Sequence, residues 1–530
     1  MGPFLVTITS ALRQAKRFFY RLAVILSWWN AVFGKSEALY KARFASDHEV
    51  AYLTTDRLPS KSLLVGMTHF SRFLHVRATP ERRELGNVLI EAPTGGGKGL
   101  LAVSQLLAWE GSAVVFDIKG DLYKQTAGYR ATLGPVYRFD TRGNGNTYDP
   151  LHGKFAEDEL YVLAKLLMYE PNEGDGKAFT QRATKMLNLL WLACLELNRL
   201  TGEHYRLLPF VGHMADLGIN SAAAIINDIS PTIARRLLDG AYNPETDYDE
   251  RKYLSSSWES FTARLYPLLT ERILRCFNGS DFTARDIIAG KKPVTVYLCV
   301  PEKDLLAKAP VIRLVLESLM AEMKDYFDDA PGDTAEEKGC RQVLYLMDEA
   351  GNVGLPSLPH DVSTVRSRGI SIWAAYQDNA QIDSQYGLYK AKAIRNNMDT
   401  KLFYRQSSYE TAKDIAESLG YRSDYARSQT LRNGQEASES LSEHAVHLLT
   451  PRDINELNPD EILVLHSNRK PIQAKRMDWR AFPPLKQRRA IAPPPFKPLP
   501  RLNYNIADII ERGTEEAQNG YINPDSDIDP

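Results

Sequence analysis

The chain lacks most of the features that would place it quickly. Its 530 residues include only four cysteines, Cys194, Cys276, Cys299 and Cys340, each far from the next. That spacing offers neither a metal-ligand cluster nor a disulfide framework, and it predicts buried, reduced thiols in a cytoplasmic protein. A charge of one sign is missing too: 65 Lys and Arg against 66 Asp and Glu leave a net charge of −1. This excludes a global polyanion-binding surface, so any contact with nucleic acid must be a local stripe or a property of an assembly. No cleavable signal peptide and no internal repeat are visible. Nor is there a clean apolar run of the ~20 residues that span a bilayer. The nearest candidate, "FFYRLAVILSWWNAVFG" at 18–34, is broken by Arg21 and Asn30.

Arg13, Lys16 and Arg17 precede that stretch, and Lys35, Lys41 and Arg43 follow it. Basic flanks beside a Trp/Phe face suit an interfacial helix on an anionic cytoplasmic leaflet. The same pattern suits an amphipathic helix packed on another subunit or on a membrane partner. Residues 1–45 are accordingly read as an anchor to membrane or partner.

What remains is an ordinary globular balance, 44% hydrophobic and 25% charged, over a length that suits two or three domains. "NVLIEAPTGGGKGLLAVSQLLAW" (87–109) reads as strand, glycine turn, helix, and "SAVVFDIKGDLY" (112–123) holds a second short buried strand. This succession begins a parallel, doubly wound α/β sheet. Helical periodicity then dominates from about 155 to 285; Phe179, Ala183, Met186, Leu190, Cys194 and Leu197 recur at steps of three or four. Strands resume at 293–301, 342–351, 370–377, 400–405 and 461–466, and "SNRK" (467–470) reads as a hairpin turn. The predicted organisation is an α/β nucleotide-binding domain from 46–155 and 286–482, interrupted by an all-α insertion at 156–285. From 483 onward a Pro-rich, then acidic, stretch predicts a flexible tail.

The chemistry gathers at the glycine turn. A phosphate loop needs backbone N–H groups pointing into one concavity, a helix N-terminus behind them and a lysine. Thr94, Gly95, Gly96, Gly97, Lys98, Gly99 and Leu100 are placed to supply this. The pattern G-x-x-x-x-G-K-[ST] is broken twice, by Ala92 and by Gly99. The second break removes the hydroxyl that normally ligates Mg²⁺, leaving Thr94 or water to replace it. A hydrophobic strand ending in acids, "VLYLMDE", supplies the other half: Asp348 to hold a Mg²⁺-bound water, Glu349 to orient and deprotonate the attacking water. Gln377 ends the next strand and is placed to sense a γ-phosphate; alternatively it merely starts a loop. Arg366 and Arg368 precede that strand and suit either a finger reaching a neighbouring subunit or a solvated surface. Asp117, Lys119 and Asp121 belong beside the loop, as site groups or as helix caps. Arg264, Arg272 and Arg275 form no clear basic stripe and read as a solvated helix face.

Together these motifs resemble the type IV secretion coupling proteins, the TraG/TraD group of conjugative DNA-transfer ATPases. "APTGGGKG" is similar to that family's phosphate loop, in which Gly commonly follows the Lys. "VVFDIKGDLY" resembles its D-x-K-G-[DE], "YDPL" (148–151) its Y-N-P-L, "MDEAGNVG" its D-E-x-x-N-x-G, and "YQDNAQIDSQYG" its Q-x-x-x-Q-x-x-x-x-Y-G. "HLLTPRDINELNPDEILVL" resembles its closing segment. The resemblance implies a RecA-like P-loop ATPase using ATP and Mg²⁺, with Lys98, Asp348, Glu349 and Gln377 in the roles above and Arg366 as finger. It also implies a hexamer at the cytoplasmic face of the bacterial inner membrane, passing relaxase and probably single-stranded DNA to a secretion channel, with the all-α domain meeting cargo. The family's usual two-helix membrane hairpin has no counterpart in this sequence, which leaves a peripheral contact, a single anchor or a separate membrane recruiter. Two other readings stay open: a DNA translocase of the FtsK/HerA kind, and a protein-export receptor that moves no DNA.

Overall fold

The computed structural model describes residues 39–78, 84–151, 156–169, 177–238, 248–432 and 435–502. The amphipathic stretch at 18–34 and the chain after 502 lie outside them. The strands are β1 (Thr54–Thr55), β2 (Leu63–Met67), β3 (Phe73–Val76), β4 (Val88–Glu91), β5 (Ser112–Ile118), β6 (Val136–Asp140), β7 (Asn144–Gly145) and β8 (Thr295–Val300). They continue with β9 (Val343–Met347), β10 (Ile370–Tyr376), β11 (Thr400–Phe403), β12 (Tyr421–Arg432), β13 (Gln435–His447), β14 (Glu461–His466) and β15 (Ile472–Lys475).

Apart from β12 and β13, these strands form one sheet in the order β1-β3-β2-β15-β14-β11-β4-β10-β9-β5-β8-β6-β7. Every pairing from β11 through β4, β10, β9, β5 and β8 to β6 is parallel. The parallel core is edged by antiparallel strands on both sides. Its strands are buried on both faces, as parallel sheets require, and their side chains sort by alternation. On β9, Val343, Tyr345 and Met347 enter one core while Leu344 and Leu346 enter the other. On β5, Val114 and Phe116 part from Ala113 and Val115 in the same way. Helix Lys98–Ala108 lies on the second face and helix Leu305–Asp329 on the first. β4 and β5, adjacent in sequence, are separated by β9 and β10. The glycine loop after β4 and the acids after β9 therefore emerge at the same, carboxyl edge of the sheet, where open α/β sheets bind ligands.

Between β7 and β8 the described residues are helical, from Glu157–Leu167 to Ala284–Ala289. The longest of these helices, Lys177–Thr201, buries Ala183, Met186, Leu190, Cys194 and Leu197 on one stripe. All four cysteines are free and buried. No helix among the described residues is long and apolar enough to cross a membrane. β12 and β13 form a separate two-stranded ribbon whose base is bridged by Lys41.

The expectation of a flexible tail from 483 fails for residues 483–502. Helix Pro483–Arg489 packs on helices Lys98–Ala108 and Asp121–Leu133 with Leu485 fully buried. Arg488 donates to Leu107 O at 2.7 Å, and the Tyr123 hydroxyl donates to Pro494 O at 2.7 Å. Phe496 lies under the Arg138 guanidinium at 3.7 Å, and Leu499 is buried. A side chain at Gly128 would run into the carbonyl oxygens of Ile491 and Ala492, so this approach needs a bare helix surface. The prolines stiffen the segment, and the apolar residues between them anchor it.

Candidate nucleotide site

The loop begins as a continuation of the sheet. Ala92 donates its N–H to Tyr376 O at 3.0 Å, so the first loop position is still strand-paired and makes no demand for glycine. The chain then turns, with Gly96 N–H on Pro93 O at 2.9 Å. Gly95 and Gly97 hold φ of +79° and +104°, the left-handed region that side-chain-bearing residues avoid. Gly97 caps helix Lys98–Ala108, and its carbonyl accepts the N–H of Leu100 at 3.0 Å. The helix thus turns free N–H groups and its positive end toward the loop. Gly99 sits in the first turn with nothing within 4 Å of where a Cβ would project.

The acids meet this loop. Lys98 Nζ lies 3.3 Å from Glu349 Oε1. The other Glu349 oxygen accepts from Asn352 Nδ2 at 2.7 Å, which fixes the carboxylate's orientation. Asp348 lies half-buried beside them, and its buried Oδ1 has no hydrogen-bond partner. Burial pushes its pKa up to about 6, against the attraction of Lys98 and together with the repulsion of Glu349. A cavity of about 260 Å³ opens here, bordered by Gly99, Leu100, Lys119, Asp348, Glu349 and Trp479 among others.

An orphaned carboxylate oxygen, on a residue that shares a cavity with the first turn of helix Lys98–Ala108, fits a hard divalent cation shared with a polyphosphate. Among the described residues no cluster of three or more His, Cys, Asp or Glu could hold a metal alone, so phosphate and water oxygens would have to complete the shell. None of the residues bordering the cavity carries a hydroxyl. Thr94, the side-chain candidate to replace the hydroxyl missing at 99, is exposed at the loop tip and, like Gly95, Gly96, Gly97 and Lys98, does not border the cavity.

The remaining sequence-derived residues fall into two groups. Gln377 directly follows β10, beside the strand that leads to the acids, but does not border the cavity; its N–H donates to Gln381 Oε1 at 2.9 Å. Asp117 is buried and accepts the N–H groups of Leu122 at 3.1 Å and Tyr123 at 2.7 Å, so it caps helix Asp121–Leu133. Lys119 pairs with Glu302 at 2.8 Å across the cavity mouth. Arg366 lies at the opposite edge, before β10 begins, and its guanidinium bonds Glu84 at 3.2 Å and Asp399 at 3.1 Å. Seven strand residues separate that edge from the loop, roughly 20 Å, so Arg366 does not reach its own chain's loop. Arg368 pairs with Asp328 at 2.7 Å. Of the three basic residues expected on a solvated helix face, Arg275 bonds Glu271 and Arg264 bonds Thr180.

Sequence reasoning missed the residues that brace the site. Asn352 orients Glu349. Gln385 donates to Gly351 O at 3.2 Å, and the Tyr386 hydroxyl accepts from Leu355 N–H at 3.0 Å, tying the loop after β9 to the helix after β10. A Cβ on Gly351 would lie 2.6 Å from Gln381 Oε1, so a larger residue there would displace the amide that accepts the Gln377 N–H. The available signal was the motif spacing itself, since these residues lie inside the two segments quoted above.

Comparison with known proteins agrees with this geometry. The family described as type IV secretory system conjugative DNA transfer matches residues 65–490. Protein VirD4 of Rhizobium radiobacter is 24% identical over 417 residues, covering 75% of this chain and 58% of VirD4. Conjugal transfer protein TraG of Escherichia coli is 24% identical over 425 residues, covering 73% of this chain and 63% of TraG. The chain thus spans roughly three-fifths of the length of these relatives. Among solved structures, the bacterial conjugative coupling protein TrwBdeltaN70 in complex with sulphate aligns with a TM-score of 0.58 at 15% identity, over 83% of this chain and 94% of its own. TrwB with the non-hydrolysable ATP analogue ADPNP aligns at 0.56 and 16% identity, over 83% and 94%. TrwB with ADP and Mg²⁺ aligns at 0.56 and 15% identity, over 83% and 95%. The sheet order is that of a RecA-like nucleotide-binding fold, and with a family match across most of its length this chain belongs to the type IV secretory system conjugative DNA transfer family.

Proposed function

We propose that this protein is an ATP-hydrolysing coupling protein that receives a relaxase–DNA complex and drives its transfer into a type IV secretion channel. The observation that carries the reading is the meeting of Lys98 with Glu349, beside the orphaned Asp348, at the mouth of a glycine loop. Lys98 and the loop N–H groups bind and neutralise the β- and γ-phosphates. Asp348 would hold the Mg²⁺, and the cation would supply further charge neutralisation on the phosphates. Glu349, held by Asn352, orients the attacking water and takes its proton. Gln377 senses the γ-phosphate from the adjacent strand. Arg366 serves a neighbouring subunit's site, which requires a ring, and we take the active form to be a homo-hexamer.

TrwB in complex with ADPNP, and with ADP and Mg²⁺, supports the cofactor assignment by likeness of fold. The helical region 156–285 is assigned to cargo, and residues 1–45 to attachment at the cytoplasmic face of the inner membrane, with a soluble pool compatible with a peripheral contact. The family match favours this reading over an FtsK/HerA-like translocase and over an export receptor that moves no DNA. The test is affinity capture from the native host combined with DNA stimulation of hydrolysis. Co-purification of a relaxase with channel subunits, and ATPase activity raised by DNA in a salt-sensitive way, are expected. Capture of segregation or repair proteins instead, or hydrolysis indifferent to DNA, would overturn it.

A further inference from the structure

We propose that Trp479 is the platform for the nucleobase, so that the C-terminal segment completes the nucleotide site. This rests on the nucleotide reading above and goes beyond its phosphate end, which the glycine loop, Lys98, Asp348 and Glu349 account for. The base end has no residue assigned to it. The cavity supplies one. From Gly99 it continues past Leu100 and Val103, along the first turns of helix Lys98–Ala108, to Leu122, Gln125 and Trp479. Val103 stands five residues beyond Lys98, about 7 Å along the helix axis. With phosphates at the helix N-terminus, a nucleoside directed along this wall leaves acids and lysines for an apolar, aromatic end.

Trp479 arrives there from a distant part of the chain. It opens the short turn Trp479–Ala481 that follows β15, and Asp478 fixes that turn by accepting the N–H of Arg480 at 2.9 Å. The Arg489 guanidinium lies over the indole at 5.5 Å. The indole borders the cavity, while its Nε1 is closed off from it, so the contact it offers a base is the ring and not a hydrogen bond. Every base presents a π face, so stacking on an indole tolerates either purine. The inferred ligand class is therefore a purine nucleoside triphosphate, with little discrimination between adenine and guanine by this residue. Trp479 also packs against the core around helix Lys98–Ala108, so a purely structural role is the competing account.

The experiment compares the full-length protein with Trp479→Ala and Trp479→Phe, measuring affinity for ATP, GTP and inorganic tripolyphosphate alongside thermal unfolding. Trp479→Ala is expected to weaken ATP and GTP about tenfold, a typical stacking contribution, while tripolyphosphate affinity is unchanged and Trp479→Phe keeps most of the ATP affinity. Equal losses for tripolyphosphate would mean that the residue only supports the fold, and unchanged ATP affinity would mean that it does not touch the base; either overturns the proposal while leaving the phosphate site standing. Wild-type protein that binds neither ATP nor tripolyphosphate would overturn both readings. Should Trp479→Ala fail to fold, indole fluorescence decides: quenching by ATP in the wild type should be lost in Trp479→Phe, and quenching that persists refutes the platform.

Discussion

Gly97→Ala tests the loop geometry separately from its charges. Gly97 holds φ +104° and ψ 10° as the cap of helix Lys98–Ala108. Placing a side chain there costs about 1–2 kcal/mol of backbone strain. The new Cβ would lie 3.0 Å from Arg476 Nη1, the end of a flexible side chain that can move aside, so the strain dominates over the contact. If the loop keeps its shape, folding stability falls by that amount. If it relaxes instead, its N–H groups turn away from the phosphates and ATP affinity falls roughly 5- to 30-fold, at a tenfold change per 1.4 kcal/mol. Gly99→Ala is the internal control. Gly99 is helical, its φ is not left-handed, and its Cβ would meet open space. Replacing a helical glycine by alanine adds about 1 kcal/mol of helix propensity, so this variant is expected to gain stability without straining the loop. Chemical denaturation and nucleotide titration of both variants measure the two quantities. Wild-type behaviour in Gly97→Ala, or greater damage from Gly99→Ala than from Gly97→Ala, would refute the reasoning.

Other expectations follow from the same geometry. Lys98→Ala should abolish hydrolysis by removing the loop lysine assigned to the phosphates; retained turnover in a phosphate-release assay would sink the loop assignment. Burial raises the Asp348 pKa from its ordinary 3.8 to about 6. Binding of Mg²⁺ and nucleotide by the empty site, which needs this charge, should therefore weaken as pH drops through about 6, and weakening that begins only near pH 4 would contradict this. For folding the sign is opposite: between these values the native carboxyl holds a proton that the unfolded chain has released, so its contribution to stability falls as pH rises. Asp348→Asn should accordingly stabilise the fold by about 1–3 kcal/mol at pH 7 while losing Mg²⁺-dependent hydrolysis, measured by denaturant melts and turnover. Because Arg366 lies across the sheet from its own loop, Arg366→Gln and Lys98→Ala proteins should each be inactive alone and recover partial activity when mixed. Absence of recovery in mixed oligomers of verified composition would remove Arg366 from the site.

The parts legible in the sequence were those in which local pattern and chemistry coincide. "VLYLM" and "ISIWAAY" are uninterrupted apolar runs, and both form strands buried on two faces. β14 occupies its expected residues 461–466, and the SNRK turn joins it to β15. Asp348 and Glu349 drew notice because they directly follow the apolar strand β9, and Lys98 because it follows a run of glycines and opens a helix. Sheet order was not readable: nothing local says that β9 and β10 insert between β4 and β5. β2, β3 and β6 were passed over, although they are no shorter than β4 and β11, which were read. The ribbon β12–β13 escaped notice because its sequence, rich in Ser, Glu and Arg, lacks the apolar alternation of a half-buried strand. The docked segment 483–502 was misread from its proline content, although Leu485, Phe496 and Leu499 mark its anchors. Asp117, open between site and cap on sequence, has both carboxylate oxygens on backbone N–H groups.

The central claim is that Glu349, held between Lys98 and Asn352, is the base of an ATP hydrolysis site. Measuring ATP affinity and turnover of Glu349→Gln side by side tests it most directly. The amide keeps the shape and the Asn352 contact but cannot take a proton, so ATP should bind about as in the wild type while turnover falls by roughly 10²- to 10⁴-fold. Turnover at the wild-type rate with ATP bound would contradict the account.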